Sequence, residues 1–288
     1  MEKKISTFSW QTKLKNLENV YSIDQDFMLI DQQIIPIARN LLFRLDFLVA
    51  VICTKGTYKG HIDLIEYQTQ VPGMIIILPG QILQCEYISD DFEGKFVIMS
   101  KRFTESLNIE ERLPVFFSVR NNPSLPLTQQ ELDAILNYYT MMQNTIKVKE
   151  NPYRMEIAKN LTRAFFYGAG YFFHKTPQET KKSGHELLLE NFLNLVQANY
   201  KEQRGTDFYA NQLCLTPKYL STAIKRESGK SANEWIDDYV TLEAKALLKS
   251  TNMTIQQISD ELNFPSQSFF GKYFKRIVGI SPKEYRSK

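Results

Sequence analysis

Two stretches near the C-terminus, Phe208–Arg226 and Thr254–Arg276, repeat one pattern: a short amphipathic helix, a tight turn and a second helix with a basic outer side. Helices this short are marginal alone, so each pair must bury its apolar stripes in a shared core. In the first unit Thr216 suits an N-cap and Pro217 the first helical position. Tyr219, Leu220, Ala223 and Ile224 form its predicted inward stripe; Lys218, Ser221, Thr222, Lys225 and Arg226 face outward, and Ser228 and Gly229 stop the helix. In the second unit Ile255, Ile258 and Leu262 line the scaffold helix, and Asn263, Phe264 and Pro265 form the turn, with Asn263 as its left-handed residue. Ser266 caps the next helix; Phe270, Phe274 and Ile277 pack inward and leave Gln267, Ser268, Lys272, Lys275 and Arg276 outside.

Each unit reads as a helix-turn-helix, the motif that presents its second helix to the DNA major groove. The outward side chains carry donors for bases and phosphates, and Gln267 has the geometry to pair bidentately with adenine. A solvated helix face is the alternative for any one of them. Between the units, Ala232 to Ser250 reads as one helix; at ~1.5 Å per residue it spans roughly 28 Å, close to the turn of B-DNA that separates equivalent groove faces. A helix from about His185 to Glu202 precedes the first unit, and Gly279 to Arg286 is a stop followed by a short capped helix.

Charge agrees with a polyanion partner for this region: residues 181–288 carry 16 Lys and Arg against 12 Asp and Glu, and the rest of the chain 19 against 20. Three cysteines, Cys53, Cys85 and Cys214, stand singly, without metal or disulfide spacing, and read as reduced core residues. No apolar run approaches the ~20 residues that span a bilayer, and the Met-Glu-Lys-Lys start does not lead into a secretory core, so a cytoplasmic protein without membrane contact is expected.

From about Phe27 to Met99 short β-rich runs alternate with turn residues at Gly56, Gly60, Pro72-Gly73, Pro79-Gly80 and Ser89-Asp90-Asp91, the spacing of an antiparallel barrel or sandwich. In the run Leu41–Val51 the odd positions Leu41, Phe43, Leu45, Phe47, Val49 and Val51 share one strand face and Arg44 and Asp46 the other. From Thr128 to Ile146 the period becomes helical: Leu132, Ile135, Leu136, Tyr139, Met142 and Ile146 form a stripe. Asn151-Pro152 opens another helix that runs through Met155, Ala158, Leu161 and Phe165 towards Phe172, with Ile157, Ala164 and Tyr171 on its opposite side. A helix apolar on two sides requires two partners, either within its own domain or one from a second subunit.

The stretch Asp260–Arg286 resembles the signature of the AraC/XylS family of bacterial transcription regulators, with the likeness extending over about residues 185 to 288. The resemblance implies two helix-turn-helix units entering successive major grooves, with Lys218, Ser221 and Thr222 over bases in the first and Gln267, Ser268 and Lys272 in the second. Two positions depart from the pattern: Thr222 stands where Arg is common, and Asn263 where Gly is usual before the turn Phe. The first departure implies weaker or different base readout by the first unit.

Gly56–Tyr67 and Gly73–Gly80 resemble the small cupin barrel with which many members sense a ligand. A metal cupin would bring two close His, a Glu and a later His; here His61 stands alone, and Gln81 and Gln84 lie where the last His would be. No metal or other cofactor is therefore expected. Neither a nucleophile with its base nor a phosphate-cradling loop stands out, so the chain does not read as an enzyme.

The expected fold is two-domain α+β: an N-terminal cupin-like antiparallel β-barrel with two helices, and a C-terminal all-α domain of about seven helices with two helix-turn-helix units. Expected boundaries are 1–125 for the effector-sensing barrel, 126–176 for a helical dimerisation and connecting segment, 177–184 for a linker and 185–288 for the DNA-binding domain. Expected partners are double-stranded DNA, a small-molecule effector held in the barrel, a second copy of the chain and RNA polymerase. Strand parity does not select the effector-binding residues. Two alternatives are a metal-independent cupin enzyme, of the sugar isomerase or epimerase kind, fused to a DNA-binding module, and a ligand-independent regulator with a structural barrel.

Overall fold

The computed structural model describes residues 19–32, 42–108, 119, 123–175 and 183–287, which fall into two compact units, one within 7–178 and one within 179–288. In the N-terminal unit the strands are β1 (Val20–Ile23), β2 (Phe27–Gln32), β3 (Leu42–Arg44), β4 (Phe47–Lys55), β5 (Tyr58–Ile62), β6 (Ile65–Gln68), β7 (Gly73–Ile77), β8 (Ile82–Ile88), β9 (Glu93–Ser100) and β10 (Ser124–Pro126). They form a six-stranded antiparallel sheet in the order β1-β2-β9-β4-β7-β10 and a four-stranded one in the order β3-β8-β5-β6. Among the described residues no ladder joins the two sheets, so the arrangement is two facing sheets and not the closed barrel expected.

The large sheet is a middle layer, which is why its central strands are apolar almost without interruption. Alternation along β4 sends Phe47, Val49, Val51 and Cys53 towards the small sheet, and Leu48 and Ile52 towards the helices α1 (Lys101–Ser106), α2 (Gln129–Lys147) and α3 (Arg154–Lys175). The odd-position face is therefore real within β4, but Leu41–Val51 is not one strand. The chain leaves β3 in the small sheet, bends at Leu45-Asp46 and enters the large sheet, and Leu41 lies outside the described residues. Gly60 sits inside β5 and not in a turn: a Cβ there would lie 2.0 Å from the Gln84 carbonyl oxygen, beside a bulge in the β5–β8 pairing.

α2 begins where the sequence places it, with Thr128 and Glu131 closing a capping box, and buries Leu132, Ile135, Tyr139, Met142 and Ile146. α3 starts at Arg154, later than Asn151-Pro152 implies, because the Asn151 carboxamide oxygen accepts from the Tyr153 amide and makes a local turn first. Along α3 Ile157 is half-buried and Ala164 exposed, whereas Tyr171 and Phe172 lie where no side chain is described. The short α1, capped by Ser100, is an additional helix in this unit.

The space between the sheets is filled by side chains including Ile30, Cys53, Ile62, Ile75 and Cys85, each without exposed surface. A cavity of about 40 Å³ lies on the other face of the large sheet, walled by Ala50, Ile76, Val97, Tyr138, Phe165 and Phe166 among others. Gln81 is structural: its amide donates to Asp63 at 3.0 Å and its oxygen accepts from the Leu78 amide at 2.7 Å. His61 Nδ1 stands 3.0 Å from a Glu86 carboxylate oxygen, both side chains about one third exposed.

The C-terminal unit contains α4 (Gly184–Asn199), α5 (Thr206–Gln212), α6 (Pro217–Ser228), α7 (Ala232–Ser250), α8 (Ile255–Glu261), α9 (Gln267–Val278) and α10 (Pro282–Ser287), the seven helices expected. Of the linker placed at 177–184 only Ser183 and Gly184 are described, and they belong to the capped start of α4. The 19-residue α7 is the spine: Ile236, Val240, Ala244, Ala246 and Leu248 on it are almost fully buried, and so is Glu243. Lys201, beyond the end of α4, stands 3.4 Å from Glu243 and 2.7 Å from Glu261 of α8.

Nearby, Arg204 reaches across to the second helix-turn-helix. Its guanidinium lies 3.8 Å from the centre of the Phe264 ring and donates to the carbonyls of Asn263 at 3.0 Å, Lys201 at 3.2 Å and Leu262. The carbonyls of Leu262 and Asn263 follow the last turn of α8, where intrahelical partners run out and a cation is favoured.

Asp26, buried in the β1–β2 turn, accepts from Ser100 Oγ at 2.7 Å and from both Nε and Nη2 of Arg102, tying that turn to the start of α1. The Arg102 hydrogen bond holds its carboxyl below the usual Asp value of 3.8 against an opposing push from burial. A depressed folded-state value means that the stabilisation is fully present above the unfolded value and fades as pH falls through the folded one. Asp26→Asn should therefore lower stability by about 1–2 kcal/mol at neutral pH, with the gap to wild type constant above about pH 5 and closing below it, as read from urea unfolding across pH. Arg204→Ala should cost the C-terminal unit about 2–3 kcal/mol, and Arg204→Lys nearly as much because the fork and the ring contact are lost, as followed by Trp235 fluorescence in a Trp10→Phe background.

Candidate nucleic-acid interface

The two helix-turn-helix units are built alike to the level of single hydrogen bonds. After α5 the chain turns at Cys214, with φ of 56°, and the amides of Cys214 and Leu215 return to the carbonyls of Asn211 and Ala210 at 3.1 and 2.8 Å. After α8 it turns at Asn263, with φ of 52°, and the amides of Asn263 and Phe264 return to Asp260 and Ser259, each at 2.9 Å. Both are left-handed helix stops that satisfy orphan carbonyls. Asn263 fits that role as the sequence suggests. Cys214 is exposed and not the core residue expected, because the left-handed position at the turn points its side chain out at a conformational cost of roughly 1–2 kcal/mol for a residue with a Cβ.

Each turn feeds a capped helix. Thr216 Oγ1 accepts from the Tyr219 amide at 3.2 Å, and Ser266 Oγ from the Phe269 amide at 3.3 Å. Both helices end on a left-handed glycine, Gly229 and Gly279, whose amides donate 2.9 Å to Lys225 and Lys275. The next helices open with matching capping boxes, Ser231 with Glu234 and Ser281 with Glu284. The inner stripes are Leu220, Ala223 and Ile224 in α6 and Phe270 and Phe274 in α9, with Ile277 half-buried.

On the outer side Lys218, Thr222, Lys225 and Arg226 of α6 are exposed and Ser221 is half-buried; on α9 Gln267, Ser268, Lys272, Lys275 and Arg276 are all exposed. Neither helix has an acidic residue in its first turn, and each ends in a Lys-Arg pair. Some groups have duties inside the protein. The Thr222 hydroxyl donates to the Lys218 carbonyl at 2.9 Å. Arg276 lies 3.3 Å from Asp237 of α7, with its guanidinium 5.2 Å from the centre of the Tyr273 ring. The Tyr273 hydroxyl donates to the same Asp237; burial and that carboxylate push its phenol far above the usual range, so it remains a donor at neutral pH.

One residue of the predicted inner stripe is misplaced. Tyr219 is 51% exposed, because it stands about 100° round the helix from Leu220, outside the arc spanned by Leu220, Ala223 and Ile224. Its counterpart Phe269 is 63% exposed for the same reason beside Phe270 and Phe274. The pairing of the two N-caps would have shown that both rings occupy one position of the repeat. Arg204 has no comparable local signal, since its partners lie far along the chain.

A family model described as a helix-turn-helix domain matches residues 209–288. The chain is similar to the HTH-type transcriptional regulator YtdP of Bacillus subtilis, 30% identical over 97 residues that make up 34% of this chain and 13% of that protein. It is similar to the arabinose operon regulatory protein of Escherichia coli, 35% identical over 78 residues and 27% of each chain, and to the regulatory protein PocR of Salmonella typhimurium, 25% identical over 243 residues, 80% of this chain and 70% of PocR. The chain thus spans about an eighth to about a quarter of the first two relatives. With the matched capping, turns and glycine stops of both units, residues 209–288 form a helix-turn-helix domain, similar to those of HTH-type transcriptional regulators such as the arabinose operon protein.

Proposed function

We propose that the chain is a sequence-specific regulator of transcription of the AraC/XylS type, which reads two successive major-groove segments of double-stranded DNA with α6 and α9. The observation that carries this reading is the duplication itself: two equally capped helices expose basic and amide side chains and are attached to one rigid, buried helix of 19 residues. Lys218, Ser221 and Thr222 are assigned to bases in the first unit and Gln267, Ser268 and Lys272 in the second. Lys225, Arg226, Lys275 and Arg276 are assigned to phosphates, since cations at the far end of a recognition helix position the protein without reading sequence. Thr222 is short and bonded to its own helix, so the second unit carries the larger share of discrimination.

The N-terminal unit is assigned the sensing and pairing roles, and its two-sheet core is taken as a cupin-like domain over residues 1–125, followed by dimerisation helices in 126–176, a linker at 177–184 and the DNA-binding domain at 185–288. The similarity to PocR, which extends over most of the chain, supports a regulator in which both units participate. An effector acts by binding one arrangement of the DNA-binding units better than another, because only differential affinity shifts a population. RNA polymerase is the partner such a regulator would contact once seated on DNA.

Gel-shift titration of a duplex selected by the protein from a random library tests the reading. Gln267→Ala and Lys272→Ala should each weaken binding by about 1–3 kcal/mol on the selected site. Lys275→Ala should weaken selected and scrambled duplexes alike and make the salt dependence shallower by about one counterion. Unchanged affinity in both base-facing variants would sink the assignment. Native mass spectrometry of the full chain should show a dimer with a bound small molecule; a bare monomer at micromolar concentration would remove the sensing and pairing roles.

A further inference from the structure

The first turns of α6 and α9 depart from a pattern that five other helices of this chain share. In α2, α4, α7, α8 and α10 the third residue after the Ser or Thr cap is Glu or Gln, and its side chain returns to the cap amide: Glu131, Glu186, Glu234, Gln257 and Glu284. This reciprocal bond is worth having at any helix start, and a carboxylate there also meets the positive end of the helix dipole. Ser100 caps α1 and Gly205 precedes α5 without it, but the residues concerned, Phe103 and Phe208, are respectively buried in the core and half-buried. Only at the two helices of the candidate interface, among the described helices, is the position given to an aromatic ring that the unit leaves exposed: Tyr219 at 51% and Phe269 at 63%.

Local stability does not account for the choice, and core packing does not either. The rings occur at the same position of both repeats, beside Lys218 in one and Gln267 and Ser268 in the other, where the surroundings suit a polyanion better than an apolar protein surface. The N-terminal residues of a recognition helix are those that meet base edges. Phe269 has no donor or acceptor, and the apolar feature that the major groove displays is the thymine methyl group.

We propose that Tyr219 and Phe269 are specificity-determining residues that pack against thymine methyl groups, one in each groove segment. This rests on the DNA-reading function proposed above. The same substitution of ring for acid removes a negative charge that would repel the phosphates, so one change at each position serves attraction and readout together.

The test uses the full chain and a duplex it selects from a random library. Phe269→Ala should lose about tenfold in affinity for that duplex and Tyr219→Ala about fivefold, each with much smaller loss on a scrambled duplex. Replacing thymines of the selected site one at a time by deoxyuridine, which removes only the methyl, should weaken wild type several-fold at one or two positions and leave the corresponding Ala variant unaffected. Phe269→Glu should complete the capping box and keep or raise the melting temperature while lowering DNA affinity more than tenfold, which separates contact from folding. Tight wild-type binding that is indifferent to deoxyuridine and to both Ala substitutions overturns the thymine contact and leaves the regulator reading standing. Equal losses on selected and scrambled duplexes overturn it too, since the rings would then serve the backbone. Failure of the wild-type protein to select any duplex removes the function on which the inference rests.

Discussion

The geometry of the C-terminal unit depends on the burial of α7. A helix covered on one side can roll or tilt against its support. One that buries residues as closely spaced as Val240, Ala244, Ala246, Leu247 and Leu248 is held from several directions. Everything attached to its ends inherits that fixity. Trp235 near its start donates to Ser228 at the end of α6 at 2.9 Å, and Arg286 of α10 donates to the Leu248 carbonyl near its finish at 3.2 Å. Asp237 on its flank holds Tyr273 and Arg276 of α9. The spacing of α6 and α9 is thereby set by side-chain packing and not by a flexible tether.

The features legible in the sequence were those decided within a few residues. Thr216, Ser266 and Asn263 announce helix starts and a left-handed stop because a cap or turn needs a particular side chain at one place. The stripe of α2 was legible because Leu132 to Ile146 repeats for several turns. Tyr219 shows where such reading ends: a stripe has an edge, and a ring at the edge is assigned inward or outward by what its neighbours leave uncovered. In the N-terminal unit, alternation told which face Phe47 and Val49 occupy but not that the chain changes sheets at Leu45-Asp46. Parity fixes a face, whereas sheet membership is decided by distant pairing such as Val49 with Ile77 and Ile98.

The same distinction separates the ligand space expected between the sheets from the packed core found there. Apolar residues on a strand face are compatible with a lined cavity or a filled core, and only the sizes of side chains arriving from the opposing sheet decide between them. Here large and β-branched residues meet between the sheets, while the small Ala50 on the other face of β4 leaves room beside Phe165 and Phe166. Tyr138 and Thr162 bridge α2 and α3 at 2.9 Å at that cavity, and the Thr162 hydroxyl donates onward to the Ala158 carbonyl at 2.8 Å, so the polar pair is satisfied within an apolar wall.

Lys201 and Arg204 precede the first helix-turn-helix in sequence, yet both are anchored on the second, through Glu261, Phe264 and the carbonyls that end α8. Two units so alike invite description as independent modules. Their stability is not modular: excising the second would leave the Arg204 guanidinium only the Lys201 carbonyl and strip Glu261 from the Lys201 ammonium beside the buried Glu243. Excising the segment before the first would uncap the turn of the second. The two copies are therefore stabilised jointly, and a substitution at Lys201 or Arg204, before the first, is felt at the turn of the second.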